Sequence, residues 1–240
     1  MPVLTIPPIV APALHPLKTP FKLPFQLDPS CVLCLMPIRD DKWFDFSGKG
    51  NHGTIIGATW TAKGRLGPSL SFDGVDDWVK VPHAPSLAIQ EGTVELWIYP
   101  ISHKVGWNRI IEKGAFNSEG YRILQHTDPP FRLNAHIYDK ASVIRETPWT
   151  EFPLNQWSFV TMVFKKGFLG LYKNAELVTS RTDITGAVTG TSDLVIGADY
   201  VGNENANVII DEVRIYNRAL TAEEIKAHWL GSRVPKVRQL

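Results

Sequence analysis

Residues 131–138 alternate strictly between two kinds of side chain. Arg132, Asn134, His136 and Tyr138 fall on one side, and Phe131, Leu133, Ala135 and Ile137 on the other. A period of two marks a strand whose faces meet different surroundings. The polar side carries donors, acceptors and rings, the mixture that sugar recognition requires. Arg, Asn and His can bond hydroxyls, and an aromatic face suits the apolar side of a sugar ring. Trp107 and Trp149, next to Gly106 and Pro148, offer stacking platforms of the same kind. The competing reading is that the stripe is the wet side of an antiparallel sheet, which also alternates.

The acidic residues suggest a second chemistry. In 209–215, Ile209, Asp211, Val213 and Ile215 share a side at period two, so Asp211 is expected among core residues. A carboxylate there needs hydrogen-bond donors or a cation. Asp45 and Asn51 bracket a Gly-rich loop, where backbone carbonyls turn easily toward an ion. Asp73, Asp76 and Asp77 invite a metal reading too, but Asp-Gly between two β-type runs is a preferred hairpin turn. The histidines, among them His52, His83, His103, His126 and His136, lack metal-ligand spacing. Cys31 and Cys34 form a lone Cys-x-x-Cys with no second pair to complete a zinc site. Their run reads as a strand, on which positions three apart point to opposite faces. They are expected to fill core or edge.

Catalysis is not expected. Glycosidases need two carboxylates about 5 to 9.5 Å apart across a cleft, and no strand reads Glu-x-Asp-x-Glu. Glu95 has no acidic partner two residues on. Gly-x-Ser-x-Gly, His-Glu-x-x-His, P-loop and dinucleotide motifs are absent.

Three segments position these groups. Residues 1–30 carry a proline every four or so positions, which rules out helix and central strand and favours extended polyproline-II chain. Between the prolines stand Leu4, Ile6, Ile9, Leu14, Leu17, Phe21, Leu23 and Phe25. Disordered linkers are polar, so an apolar arm is expected to dock on this domain or on a neighbouring subunit. Residues 31–230 hold short β-type runs separated by turns every 8 to 12 residues, the pattern of an all-β sandwich. The strands are expected at 31–37, 54–60, 69–73, 77–82, 93–100, 108–113, 120–126, 130–138, 142–147, 156–164, 168–173, 176–181, 193–198 and 208–216. One helix follows: Thr221 to Glu224 is a capping box, Ile225 and Trp229 share a face, and Gly231 ends it. Residues 231–240 form a basic tail.

Composition bounds the partners. The 240 residues are 44% hydrophobic, with eight Trp and eleven Phe, enough for a two-sheet core. A net charge of +1 gives no basic face for nucleic acid. No apolar run approaches the ~20 residues of a membrane span, and the N-terminus lacks the layout of a secretory signal.

Two motifs tie the pattern together: Asp45-Phe-Ser-Gly-Lys-Gly-Asn51-His52-Gly53-Thr54 followed by Leu70-Ser-Phe-Asp73-Gly74-Val-Asp76-Asp77-Trp78, and Ile210-Asp211-Glu212-Val213-Arg214-Ile215-Tyr216-Asn217-Arg218-Ala219-Leu220. In that order and spacing the chain resembles the bacterial and viral laminin-G-like (concanavalin A-like) domains over residues 31–230. The resemblance implies an all-β, two-sheet antiparallel jelly roll. It also implies a structural calcium held by Asp45, Asn51 and Asp211. The alternative is that Asp211 accepts backbone amides from the 45–54 loop and locks the chain ends together.

Function then divides in two. The first expectation is a non-catalytic structural or decoration subunit of an extracellular assembly such as a phage virion, anchored to neighbouring subunits of a homo-oligomer or larger assembly through its arm. A virion component reaches the outside without a secretory signal. The alternative is a carbohydrate-binding or adhesion module using Arg132, Asn134, His136, Tyr138, Trp107 and Trp149.

Overall fold

The computed structural model of the protein describes residues 28–36, 41–65, 67–115 and 118–231. The arm positions Leu4, Ile6, Ile9, Leu14, Leu17, Phe21, Leu23 and Phe25, and the tail from residue 232, lie outside the described residues. In chain order the strands are β1 (Cys31–Leu35), β2 (Lys42–Trp43), β3 (Gly53–Ile56), β4 (Thr59–Thr61), β5 (Ser69–Asp73), β6 (Trp78–Val81), β7 (Gly92–Pro100), β8 (Arg109–Lys113) and β9 (Tyr121–Gln125). They continue with β10 (Arg132–Asp139), β11 (Val143–Glu146), β12 (Thr150–Glu151), β13 (Ser158–Lys165), β14 (Phe168–Lys173), β15 (Glu176–Arg181), β16 (Leu194–Ile196) and β17 (Asn207–Tyr216), before helix α1 (Ala222–Gly231).

Two antiparallel sheets form a sandwich. Sheet I runs β15-β14-β13-β7-β17-β5-β4, with β1 beside β17. Sheet II runs β11-β10-β9-β8-β16-β6-β3-β2, with β12 beside β10. Alternation explains the core between them. Val94, Leu96, Ile98, Val160, Met162 and Phe164 of sheet I are fully buried against Val79, Val81, Ile123, Leu133, Ala135 and Ile137 of sheet II. The expected strand at 54–60 is instead two strands in different sheets. Gly57, at φ +73°, lets the chain leave sheet II after β3 and enter sheet I as β4.

Three β-bulges shift the alternation and overturn face assignments made from the sequence. In β1 the register slips between Cys31 and Leu33, so Cys31 and Cys34 share one face. Both are free, buried thiols in the cluster on the outer side of sheet I. In β17 the slip lies between Asp211 and Arg214, with Glu212 at φ +48°. Val213 and Ile215 stay in the core, but Asp211 pairs with Trp97 and belongs to the outer face, not among the core residues. In β8 the slip lies between Arg109 and Ile111, which puts Arg109 and Glu112 on the same side. An extra residue in one strand has this consequence generally.

A second apolar cluster covers the outside of sheet I. Trp97, Phe159, Val163, Tyr172 and Tyr216 pack with Leu220 and Ile225 at and within α1. The helix starts with the expected capping box. The Thr221 amide donates to Glu224 Oε2 at 2.8 Å, and the Glu224 amide donates to Thr221 Oγ1 at 3.3 Å. At its far end His228 Nδ1 lies 2.9 Å from Oε2 of the fully buried Glu95 and stacks on Tyr216. The described chain begins beside this helix: Arg218 bonds Asp28 and forks across both oxygens of Glu224 at 2.7 and 2.9 Å. Arg218 holds the Glu224 carboxyl down at about 2.

Candidate functional site

The outer face of sheet II is built differently. Cross-strand partners set side by side form one row across the whole sheet: Lys42, Thr54, Lys80, Val195, Glu112, Arg122, His136, Glu146. Directly opposed residues on an antiparallel pair share a face, so seven polar side chains and a single valine line up from edge to edge. Apolar residues of the same strands turn inward to the core.

At the β8–β11 end the row becomes the floor of a cleft of about 450 Å³. Its lining includes Trp107, Arg109, Leu124, His136, Ile144, Glu146, Asp199, Tyr200 and Glu204. The floor is a charge network. Arg122 Nε lies 2.9 Å from Glu112 Oε1, Arg109 Nε lies 3.6 Å from Glu112 Oε2, and Arg109 Nη1 lies 2.7 Å from Glu204 Oε2. The Tyr200 amide donates to Glu112 Oε2 at 3.1 Å. Burial raises the pKa of Glu112 against the pull of both arginines. Burial likewise raises that of Glu204, whose partner Arg109 acts the other way. Asp199 is taken up by the amides of Val201 and Asn203, at 3.1 and 2.7 Å.

His136 joins this network from β10. It is 5% exposed, and its Nε2 lies 2.9 Å from Glu146 Oε2. That contact pairs Nε2 with the carboxylate, and Nδ1 has no hydrogen-bond partner among the described residues. Burial lowers the His136 pKa against the pull of Glu146. Buried polar groups are nearly always bonded, which makes the open Nδ1 of His136 informative.

One wall of the cleft is aromatic. Trp107, 45% exposed, lies 5.7 Å from Trp149 and 5.5 Å from His126. His126 meets Trp149 edge-on at 4.8 Å, and Trp149 reaches to 6.2 Å from His136. Arg132 donates from Nη2 to His126 Nδ1 at 3.1 Å. Of the six residues expected to meet sugar, His136 and Trp107 line the cleft, and Trp149 and Arg132 support its wall. Asn134 does other work: fully buried, it donates to the Thr147 carbonyl at 3.3 Å and holds the loop after β11. Tyr138 lies opposite the lining residue Ile144 without lining the cleft itself.

Sequence reasoning missed Arg109, Glu112, Arg122, Glu146, Asp199, Tyr200 and Glu204. The alternation in 121–125 carried a usable signal for Arg122. The bulge in β8 hid the shared face of Arg109 and Glu112, and Asp199, Tyr200 and Glu204 come from a loop.

Donors of the fold itself engage the residues implied for calcium. Asp45 Oδ1 accepts from the amides of Cys34 and Ser47, and Oδ2 from the Ser47 hydroxyl and the Asn51 amide, all within 2.9 Å. Four donors use the lone pairs a cation would need. The Asn51 side chain donates to the Val32 carbonyl at 2.7 Å, and Asp211 Oδ2 accepts the Arg65 amide at 3.0 Å. The residues therefore fit a loop lock, with Asp45 as the hub in place of the expected Asp211. The carboxylates of Asp73, Asp76 and Asp77 do converge. Asp73 and Asp77 are engaged in the turn: Asp73 accepts the Val75 amide at 2.7 Å, and Asp77 accepts the Asp73 amide at 2.8 Å.

A family model described as the concanavalin A-like lectin/glucanases superfamily matches residues 73–226. The structure is similar to the binding domain of botulinum neurotoxin serotype D (18% identity, TM-score 0.67, 85% of this chain and 52% of that one). It is similar to the serotype D ligand binding domain in complex with N-acetylneuraminic acid (19%, TM-score 0.70, 85% and 51%). It also resembles the binding domain of Paraclostridial Mosquitocidal Protein 1 (17%, TM-score 0.67, 84% and 52%). The chain thus spans about half the length of each, and at these identities the likeness is one of fold. Among curated proteins, none matches the sequence.

Proposed function

Because the chain belongs to the concanavalin A-like lectin/glucanases superfamily, we propose that it is a carbohydrate-binding module whose glycan seat is the cleft on sheet II. The observation that carries this reading is His136. A buried imidazole, held at Nε2 by Glu146 and unpartnered at Nδ1, lies in a cleft walled by an exposed indole, and that pairing serves a ligand with hydroxyls on one side and an apolar ring face on the other. The volume of about 450 Å³ is that of a small-ligand site. A domain of similar fold, of which this chain covers about half, was solved in complex with N-acetylneuraminic acid, which lends support to a sugar as the ligand class.

The reading is one of binding, not hydrolysis. Glu112, Glu146, Asp199 and Glu204 are each engaged by Arg, His or amide donors, so the cleft offers no carboxylate set aside as nucleophile or base.

A structural role in an extracellular assembly is the second reading, and one observation favours it. Arg218 clamps Asp28 at the root of the apolar arm, beside the helix-covered face. Asp28, the first described residue, is thus fixed beside the helix-covered face of sheet I and apart from the cleft, and both roles can coexist.

A glycan array probed with the wild type and with Trp107→Ala tests the main reading. Binding to a restricted set of glycans, lost in the variant, supports it. Glycan binding that survives Trp107→Ala and His136→Gln unchanged contradicts it.

A further inference from the structure

The opposite end of the polar row holds a second cavity, of about 400 Å³, near the β2 edge of sheet II. Neighbouring strands lie about 4.8 Å apart, so this cavity sits several strands from the cleft and one sugar cannot occupy both. Its charged and titratable lining is Lys42, Lys49, His52 and His83, joined by Thr54 and the Gly50–Asn51 turn. Among the described residues no carboxylate lines it.

The two imidazoles are fixed in the same sense. The Asp45 amide donates to His52 Nδ1 at 3.0 Å, and an amide nitrogen can only donate. His52 therefore keeps its proton on Nε2. Behind His83, the buried Lys113 places Nζ 3.3 Å from His83 Nδ1. A lysine ammonium also only donates, so His83 is likewise protonated on Nε2. Each ring's remaining polar atom is thus a donor. Lys42 and Lys49 have no ion-pair partner among the described residues. Two acids near it are already used: Asp193 pairs with Lys80 at 2.8 Å and accepts the His83 amide at 2.7 Å, and Asp45 carries its four donors.

Two ammonium groups and two N–H imidazoles around one cavity form a site of donors, and the complementary ligand is a group of acceptors with negative charge. The geometry points to an oxyanion site at Lys42, Lys49, His52 and His83, which takes a carboxylate or a sulfate group. Such a group is carried by an acidic glycan or by a free inorganic anion. The site is independent of the cleft and does not rest on the reading given for it.

Amide and imidazole NMR titrations at constant ionic strength, held with chloride, test this with three probes: sodium sulfate, sodium glucuronate and neutral glucose. Saturable shifts at Gly50, Asn51, His52 and His83 are expected with at least one of the anions and not with glucose. Response to both anions identifies a general oxyanion site, and response to glucuronate alone identifies a sugar carboxylate. Lys42 and Lys49 are exposed, so Lys42→Ala/Lys49→Ala should fold normally and bind about tenfold more weakly or worse, as expected for loss of charge-assisted bonds. Trp107→Ala should leave the anion response unchanged. The inference is overturned if neither anion produces saturable shifts at these residues, if glucose does so equally, or if the double variant binds as the wild type does. It is overturned too if Trp107→Ala abolishes the response, because the anion would then sit in the cleft.

Discussion

The sandwich has two outer faces, and the chain treats them in opposite ways. On sheet I, Trp97, Phe159 and Tyr216 face outward, and α1 closes over them with Leu220 and Ile225. That face has become a second core. On sheet II the same strand geometry presents Lys42, Lys80, Glu112, Arg122, His136 and Glu146 in register; among the described residues loops and not a helix cover the buried Glu112, Arg122 and His136, and Lys42 and Lys80 stay exposed. An outer sheet face that is apolar must be covered, whereas one made of paired charges can stay open and meet a ligand. The comparison assigns stability to one side and recognition to the other.

The largest test strikes the charged face where it is also structural. Arg109→Met removes the cation between Glu112 and Glu204. Breaking a buried pair costs about 3–5 kcal/mol; Glu112 keeps Arg122 and Glu204 is partly exposed, so chemical denaturation should show a loss at the lower end of that range. A loss near zero would mean the network is not cohesive. Next in size, Ile225→Ala hollows the fully buried contact under α1. It should cost about 2–5 kcal/mol, read from the same denaturation curves, and leave glycan affinity untouched. Trp107→Ala should do the reverse. Its stability should stay within about 0.5 kcal/mol of wild type, as for an exposed side chain, while calorimetric affinity falls about tenfold or more.

The smallest effect concerns pH and the Arg218 clamp. Glu224 titrates at about 2 in the fold against an ordinary 4.5, held by Arg218, and Asp28 also at about 2. For Asp28, burial opposes ionisation but the Ser30 and Arg218 bonds outweigh it. A depressed folded pKa means the unfolded chain binds more protons, so the stabilisation is present above about pH 4.5 and is lost as pH falls toward 2. These groups are partly exposed, which limits the effect to about 1 kcal/mol or less. Thermal melts between pH 5 and 2.5 should steepen in the wild type relative to Arg218→Gln. Parallel curves would show that the clamp contributes nothing.

The sequence was readable wherever strands are regular. In 131–138 alternation separated Leu133, Ala135 and Ile137, which are in the core, from His136, which lines the cleft. The capping box placed α1. Alternation failed at each bulge, because one extra residue reverses the faces that follow. Asp211 was thereby read as inward, Cys31 and Cys34 as opposed, and Arg109 was not seen beside Glu112. Loop residues such as Tyr200 and Glu204 reach the cleft only through tertiary folding, which no local pattern encodes.

The central claim is that ligand meets sheet II and not sheet I. Chemical-shift mapping with the best glycan from the array tests it most directly. The account predicts perturbations confined to Trp107, His136, Tyr200 and their neighbours, with the amides of α1 unmoved. Perturbations centred on α1 and the outer face of sheet I would contradict it.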